Sequence, residues 1–128
     1  MCVQPLLAAQ GQRQGFHGGL RQGSASQVDA LRQVVHGAQQ QRVAGFVERA
    51  RASGAEILAG GNIVEGPGFF HEPTLVRAPI EAEIVQKEVF GPVVTLTPFE
   101  TPEQALAWAN ASEYGLASSV WSRDGQAA

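Results

Sequence analysis

Residues 88–97 read EVFGPVVTLT, and this stretch decides the fold class. The β-branched residues of 93–97 predict a buried strand. Gly91 permits unusual backbone angles, and Pro92 fixes the entry to that strand. Glu88 and Phe90 are two positions apart, so in an extended segment they would point to the same side. The stretch therefore predicts a core strand preceded by a bend that carries an acid and an aromatic ring.

The residues that follow predict a helix and a second strand. Thr101 is able to cap a helix, Pro102 has the φ angle of a first turn, and Gln104 is placed to complete a capping box. This helix is predicted to end near Ala111. Residues 116–122 are a final strand candidate, so residues 93–122 are predicted to form a β-α-β unit with a right-handed crossover and two parallel strands. The fold class is α/β.

The residues that precede the bend predict a helix, two strands and a short acidic turn. An apolar stripe at i, i+3, i+4 and i+7 predicts a helix from Ala38 to a stop at Gly54; its members are Val43, Phe46, Val47 and Ala50. Residues 55–59 and 69–76 predict two strands in a hairpin-like pair, with a turn-rich loop between them. The acidic turn at 81–86 is predicted to be helical.

Residues 1–37 differ in composition from the rest of the chain. They are rich in Gln, Gly and Arg, and Asp29 is their only acid. Such a segment has little apolar surface to bury. We predict a poorly ordered, irregular N-terminal extension, with a possible helix that begins at Ser24 or Ser26 and ends at Val35. The domain plan is an extension over 1–37 and a folded domain over 38–128.

Composition excludes several classes of function. The net charge of -3 offers no basic field for nucleic acid or an anionic membrane. No apolar run approaches the roughly 20 residues that span a bilayer. The single Cys2 cannot form a disulfide within the chain, and the three histidines, His17, His36 and His71, lack metal-ligand spacing. We therefore predict a cytoplasmic protein without nucleic-acid or membrane partners and without a metal.

Few residues offer chemistry of their own. Cys2 has no positioned base in the sequence, and Glu81 and Glu83 suit a solvated face. Neither a G-x-G-x-x-G motif nor a P-loop is present. Glu88 and Phe90 differ from these, because a carboxylate accepts bonds from sugar hydroxyls while a ring packs on a heterocycle. The alternative is an ordinary loop with a buried phenylalanine.

Four ordered motifs resemble the aldehyde dehydrogenase superfamily. EIVQKEVFGPVV at 83–94 resembles its E-[IV]-F-G-P-V region, and GFFHEPTL at 68–75 resembles its G-[YF]-[YF]-x-x-P-T-[LV] strand. Residues 41–61 are similar to the preceding helix and its G-G ending. ANASEYGLASSVW at 109–121 is similar to A-N-x-[ST]-x-Y-G-L-[AS]-[AS]-x-[VI]-[WF]. Residues 38–128 are thereby identified as a partial catalytic domain of that family.

The resemblance implies an NAD(P)-dependent enzyme that oxidises an aldehyde to a carboxylate and whose full-length parent is a homo-oligomer. The segments IVQKEVFGPVV, TPF and YGLASSVW look most like those of γ-aminobutyraldehyde dehydrogenases, which oxidise 4-aminobutanal. Betaine-aldehyde and succinate-semialdehyde dehydrogenases are close alternatives. The family's cysteine nucleophile and glutamate base lie upstream of the matched region, and Cys2 is outside the nucleophile motif. We therefore expect no catalytic residue here and no activity from the fragment alone.

Two cofactor-binding residues carry over from the resemblance. Glu88 is expected to bond the nicotinamide-ribose hydroxyls of NAD or NADP, and Phe90 to pack near the nicotinamide ring. Residues 1–37 depart from the family pattern, which a frame error, a misplaced start codon or a truncated gene would explain. The alternative function is a non-catalytic α/β module that retains nucleotide binding or associates with full-length subunits.

Overall fold

The computed structural model describes residues 6–9, 34, 36–115 and 117–120. Six strands and three helices lie in these residues. In chain order they are β1 (Leu6–Ala9), α1 (Gly37–Ala52), β2 (Glu56–Ala59), β3 (Ile63–Val64), β4 (Phe70–His71), β5 (Thr74–Arg77), α2 (Glu83–Gln86), β6 (Val93–Phe99) and α3 (Pro102–Asn110). The mixed α/β class that the sequence predicts is confirmed.

The larger sheet has four strands in the order β1-β6-β5-β2. β6 is central and parallel to both neighbours, with Leu6 opposite Leu96 on one side and Val76 opposite Thr95 on the other. β2 is antiparallel to β5 and forms an edge. The parallel pairs therefore place the start of β6, and the bend before it, beside the start of β5.

Helix α1 supplies much of the core. Its buried residues are Gln40, Val43, Phe46, Val47 and Ala50, which include the whole predicted apolar stripe. They pack with buried residues of β5, α2 and β6, among them Val76, Ile84 and Val93. Gly54 has a φ of +90°, so the helix ends where the sequence predicts. The core is thus a helix laid on one face of the sheet.

The opposite face of the sheet is more open. In β6, Val93, Thr95 and Thr97 are buried, whereas Val94 is 36% exposed. Helix α3 contacts β6 but buries none of its own residues. The prediction of a buried strand therefore holds for alternate residues only, because one face alone is covered in the described part of the chain.

The start of α3 differs in one detail from the predicted capping box. Thr101 caps the helix, since its Oγ1 accepts a hydrogen bond from the Gln104 backbone N–H at 3.2 Å, and Pro102 opens the first turn. The Gln104 side chain accepts from the N–H of Glu100 at 2.8 Å, one residue before the cap. Both side chains accept hydrogen bonds from backbone N–H groups at the helix start, as expected. In a capping box the Gln104 side chain would accept from the N–H of Thr101, but here it accepts from the N–H of Glu100.

The predicted hairpin over 55–59 and 69–76 forms in two parts. β2 pairs with β5 as predicted, but Phe70–His71 pairs with Ile63–Val64 in a separate two-stranded sheet. Pro73 lies between β4 and β5 and has no N–H to donate to a ladder. The single strand that we predicted over 69–76 is therefore interrupted at this proline.

The prediction of a final strand at 116–122 is wrong for residues 117–120, which form no strand. A strand has two edges for pairing, and both edges of β6 are occupied, one by β5 and the other by β1. Residues 116, 121 and 122 lie outside the described residues. The second strand parallel to β6 is therefore β1, and the predicted β-α-β unit over 93–122 is not formed in the described residues.

Two described pieces of the segment 1–37 pack on the domain. β1 pairs with β6, and Val34 is buried in the core, where its N–H donates to Phe69 O at 2.9 Å. The predicted helix over 24–35 lies outside the described residues except for Val34, which is in no helix. Most of the predicted irregular extension also lies outside them. None of the helices in the described residues is long and apolar enough to cross a membrane.

His71 in β4 is fully buried, which its position near the start of a predicted strand does not indicate. Its Nδ1 lies 2.9 Å from Glu72 O, so Nδ1 carries the hydrogen, because a carbonyl oxygen only accepts. Nε2 has no hydrogen-bond partner among the described residues. A buried polar atom without a partner reduces the stability of the fold.

We expect His71→Leu to stabilise the domain by about 1 kcal/mol, because it removes this unpaired nitrogen from the interior. Glu72 O keeps a partner in the variant, since the Thr74 hydroxyl also donates to it at 2.7 Å. Chemical denaturation measures the change. The matched control is Thr97→Val, which removes a buried hydroxyl that donates to Ala78 O and should lower stability. A loss of stability in His71→Leu would contradict the expectation.

Candidate functional site

Glu88, Val89 and Phe90 form an irregular segment between α2 and β6, which we call the 88–90 segment. Glu88 is partly exposed and Val89 is buried in the core. Phe90 is 55% exposed and has a φ of +53°. Left-handed backbone in a bulky residue is strained, and such strain is concentrated at functional sites. The segment therefore presents an aromatic ring to solvent from an unfavourable backbone conformation.

The predicted geometry of the two site residues needs correction. Residues two positions apart point to the same side only in an extended chain, and Phe90 has a left-handed φ instead. Both residues nevertheless line one small cavity, with a volume of about 20 Å³. This volume holds little more than a water molecule. The described residues thus place Glu88 and Phe90 at one locality without enclosing a pocket for a nucleotide.

Two side chains of α1 bind the main-chain carbonyls of the 88–90 segment. Arg42 donates from Nη2 to Glu88 O at 3.0 Å and from Nη1 to Val89 O at 2.8 Å. Gln39 donates from Nε2 to Val89 O at 3.2 Å and to Phe90 O at 2.7 Å. Every carbonyl of the segment therefore accepts a hydrogen bond from the same helix.

Gly91 brings the backbone directly against α1. A Cβ atom at this position would lie 2.5 Å from Cγ2 of Val43, far inside van der Waals contact. The unusual backbone angle that we predicted at Gly91 falls on Phe90 instead, because Gly91 is not among the positive-φ residues. Glycine is required here for close approach to the helix.

Two guanidinium groups of α1 lie over the ring of Phe46. The Arg42 and Arg49 guanidinium carbons lie 5.1 and 4.8 Å from its ring centroid. Arg49 also forms an ion pair with Glu83 of α2 at 2.8 Å. This hydrogen bond lowers the pKa of Glu83 and raises that of Arg49. The ion pair thus joins α1 to α2.

Lys87 connects the site to the loop after α3. Its Nζ lies 2.8 Å from Oε1 of Glu113. The pKa of Glu113 is lowered, first by this hydrogen bond and then by one from Tyr114, and the pKa of Lys87 is raised by the same contact with Glu113. An ion pair thus holds the residue immediately before Glu88.

Other polar residues that the sequence singles out are elsewhere. Cys2 and His17 lie outside the described residues, and Glu81 is exposed. His36 is exposed and caps α1, accepting from the Gln39 N–H at 3.2 Å. Across the part of the chain that the structure describes, no group of three or more His, Cys, Asp or Glu residues could hold a metal ion. A wider groove of about 400 Å³ is bounded by Arg77 and Trp108, away from the 88–90 segment.

Comparison with known proteins identifies the chain. The sequence model of the Aldehyde dehydrogenase family matches residues 20–128, which is most of its length. The chain belongs to the aldehyde dehydrogenase family. The match begins inside the segment 1–37, where the sequence motifs alone showed no resemblance. Aldehyde dehydrogenases are oxidoreductases that use NAD or NADP.

Two curated relatives and one solved structure illustrate the similarity. Succinate-semialdehyde dehydrogenase of Paenarthrobacter nicotinovorans is 45% identical over 101 residues, covering 78% of this chain and 22% of its own length. Aldehyde dehydrogenase B of Escherichia coli K12 is 39% identical over 101 residues, covering 75% and 20%. The NAD+ complex of aldehyde dehydrogenase from Bacillus cereus has a TM-score of 0.70 and 37% identity, covering 73% and 19%. The chain spans about a fifth of the length of these relatives.

The residues present fit one part of an aldehyde dehydrogenase cofactor. A partly exposed carboxylate at Glu88 suits hydroxyl donors, and the exposed ring of Phe90 suits a flat heterocycle. These groups fit a nicotinamide riboside. The described residues have no glycine-rich turn at the start of a helix to receive the pyrophosphate.

Sequence reasoning missed Gln39 and Arg42. Both lie on the polar side of a correctly predicted helix, three positions apart and therefore one above the other. Their partners come about fifty positions later in the chain. Nothing in a single sequence connects a helix surface to a segment so distant.

We expect Gly91→Ala to destabilise the domain by roughly 1–3 kcal/mol, because the new methyl group would overlap Val43 in a packed core. Thermal and urea unfolding measure the loss. Gly115→Ala is the matched control, since a Cβ there would meet nothing within 4 Å. Equal effects of the two substitutions would show that the contact with α1 is not tight.

We expect Glu113→Gln to lower stability near neutral pH, where it removes the ion pair with Lys87. The folded state holds the pKa of Glu113 below its ordinary value of 4.5, so the pair stabilises the fold above that pH. The stabilisation is lost as the pH falls through the lowered pKa. The two stability curves should therefore converge in acid, and Glu65→Gln serves as an exposed control. A constant difference down to the lowest pH would refute this.

Proposed function

We propose that this chain forms part of the catalytic domain of an NAD(P)-dependent aldehyde dehydrogenase and binds the nicotinamide riboside of the cofactor through Glu88 and Phe90. The observation that carries the proposal is the exposed, left-handed Phe90 beside Glu88. An ordinary loop with a buried phenylalanine is the alternative, and it does not account for an exposed ring on a strained backbone. Membership of the family supports the choice of cofactor.

Each residue has a distinct role in this proposal. The Glu88 carboxylate accepts hydrogen bonds from ribose hydroxyls, and the Phe90 ring packs near the nicotinamide. A bound cofactor would supply the hydride acceptor for oxidation of the aldehyde. Orientation of the hydride acceptor is the contribution of this segment, because a fixed geometry reduces the entropic cost of the reaction.

The proposed substrate of the full-length parent is 4-aminobutanal, which becomes 4-aminobutanoate. The support for this substrate is that residues 84–94 and 114–121 resemble γ-aminobutyraldehyde dehydrogenases. A betaine aldehyde and succinate semialdehyde are the competing substrates. A relative that is named for succinate semialdehyde is 45% identical over 101 residues. An assay of the full-length parent with each of the three aldehydes distinguishes these substrates.

We propose that these 128 residues do not oxidise an aldehyde by themselves. The only cysteine is Cys2, and it is outside the family's nucleophile motif. Thioester chemistry requires a thiolate and a base that activates water. A cytoplasmic location and a homo-oligomeric parent remain predictions from the sequence and the family.

Titration of the ¹⁵N-labelled chain with NAD tests the binding role. We expect the amide signals of Glu88, Phe90 and Gly91 to shift on titration. Glu88→Ala and Phe90→Ala should each weaken binding by roughly fivefold or more, the loss expected for one or two good contacts. Glu81→Ala, an exposed acid seven positions earlier, is the control. No response of these signals at millimolar NAD would reject the site.

The same samples test activity with 4-aminobutanal and NAD. We expect no NADH formation by the chain alone. Turnover that Cys2→Ser abolishes would overturn the proposal that the nucleophile is missing. Both the proposed fragment and a non-catalytic nucleotide-binding module would bind NAD without turnover. Co-purification of the chain with a full-length dehydrogenase would favour the module.

A further inference from the structure

The 88–90 segment is held in an unfavourable backbone conformation, and something must maintain it. Phe90 has a φ of +53°, although a phenylalanine gains nothing intrinsically from left-handed backbone. Its ring is largely exposed, so packing of the side chain in the described residues does not supply the missing stabilisation. The restraint has to act on the main chain.

The carbonyl groups of the segment supply that restraint. Gln39 and Arg42 stand one turn apart on α1 and donate four hydrogen bonds to the three consecutive carbonyls. Val89 O receives two of them, which occupies both of its lone pairs. A set of bonds to consecutive carbonyls fixes the orientation of successive peptide planes, and these orientations define φ at Phe90.

The donors themselves are held in place. The Arg42 guanidinium lies over the ring of Phe46, which is buried in the core. Its planar fork spans two carbonyls at once, which a lysine ammonium cannot reproduce. Close contact between Gly91 and Val43 sets the distance between the segment and the helix. Helix α1 therefore provides a rigid template for the segment.

We propose that Gln39 and Arg42 are positioning residues, which hold Phe90 in its left-handed conformation through the main chain and thereby present the Phe90 ring and the Glu88 carboxylate to the cofactor. The presentation of these two side chains to the cofactor rests on the proposed function. The positioning itself concerns the protein alone. Neither residue needs to touch the cofactor for the effect.

Two substitutions disrupt these donors: Gln39→Glu is nearly isosteric, and Arg42→Gln leaves a shorter side chain with a single amide group. Gln39→Glu places carboxylate oxygens opposite Val89 O and Phe90 O, and oxygens without hydrogen cannot donate. Arg42→Gln removes the guanidinium fork. The controls are Gln41→Glu, which makes the same charge change on an exposed position of α1, and Arg49→Gln, which removes the other guanidinium over Phe46.

The first readout is the backbone conformation of residues 88–91 without NAD. We expect the ¹³Cα, ¹³Cβ and amide shifts of Phe90 to leave left-handed values in both variants and to keep them in both controls. Unchanged shifts in the two variants, or equal changes in the controls, would overturn the inference. Far-UV circular dichroism verifies that α1 is intact, and Arg42→Gln carries the test if Gln39→Glu fails to fold.

A second measurement isolates the strain. Glycine adopts left-handed backbone readily, so Phe90→Gly removes the need for a restraint. Gln39→Glu should then destabilise the Phe90→Gly chain less than it destabilises the wild type in a double-mutant cycle. Additive effects of the two substitutions would contradict a role of Gln39 in holding Phe90.

The third readout is NAD affinity, measured by the same titration. We expect Gln39→Glu and Arg42→Gln to weaken binding by roughly fivefold to tenfold, the consequence of one or two lost hydrogen bonds, with the controls unchanged. Loss of the left-handed shifts with unaltered affinity would overturn the link to the cofactor. An absent NAD response in the wild type would reject the proposed function, while the shifts without NAD would still decide the positioning role.

Discussion

Close packing of Gly91 on Val43 is the contact on which the rest of the site depends. No side chain fits between the two residues, so the distance from the bend to α1 is fixed by hard atoms. Val43 is itself fully buried in the core that α1 shares with the sheet. Any shift of the helix would therefore move the bend. The hydrogen bonds from α1 to the carbonyls of the 88–90 segment form only at this distance between the helix and the bend.

Helix α1 serves two purposes because its two sides differ in chemistry. One side carries Val43, Phe46 and Val47 into the core. The neighbouring side carries Gln39 and Arg42, which reach the main chain of the 88–90 segment. Phe46 belongs to both sides, since its ring is buried while two guanidinium groups lie over it. The apolar stripe fixes the position of the helix, and that position brings the polar donors within reach.

Local patterns in the sequence predicted the local structure well. The stripe from Val43 to Ala50 and the cap at Thr101 predicted α1 and α3, because helices are stabilised by residues three and four positions apart. Strand pairing was predicted less well. The residues at 117–120 have a strand-like pattern, yet the available edge of β6 is taken by β1, and no local pattern reports which segment fills an edge.

In the candidate site, too, local features were predictable from the sequence and tertiary contacts were not. Glu88 and Phe90 were predicted from their residue types and from the family motif. The left-handed φ of Phe90 and the contacts of Gln39 and Arg42 were not, because they arise from tertiary structure. Conformational strain of this kind opposes local preference, and a pattern of local preferences cannot reveal it.

Pairing of Leu6 with Leu96 joins the first described strand to a central strand that is far from it in the sequence. During synthesis, β1 stays unpaired in this sheet until the residues of β6 have left the ribosome. Closing a loop of this length slows the formation of the sheet. The pairing of β1 with β6 thus forms only after β6 has been made, and until then the free edge of β1 is open to association with other chains.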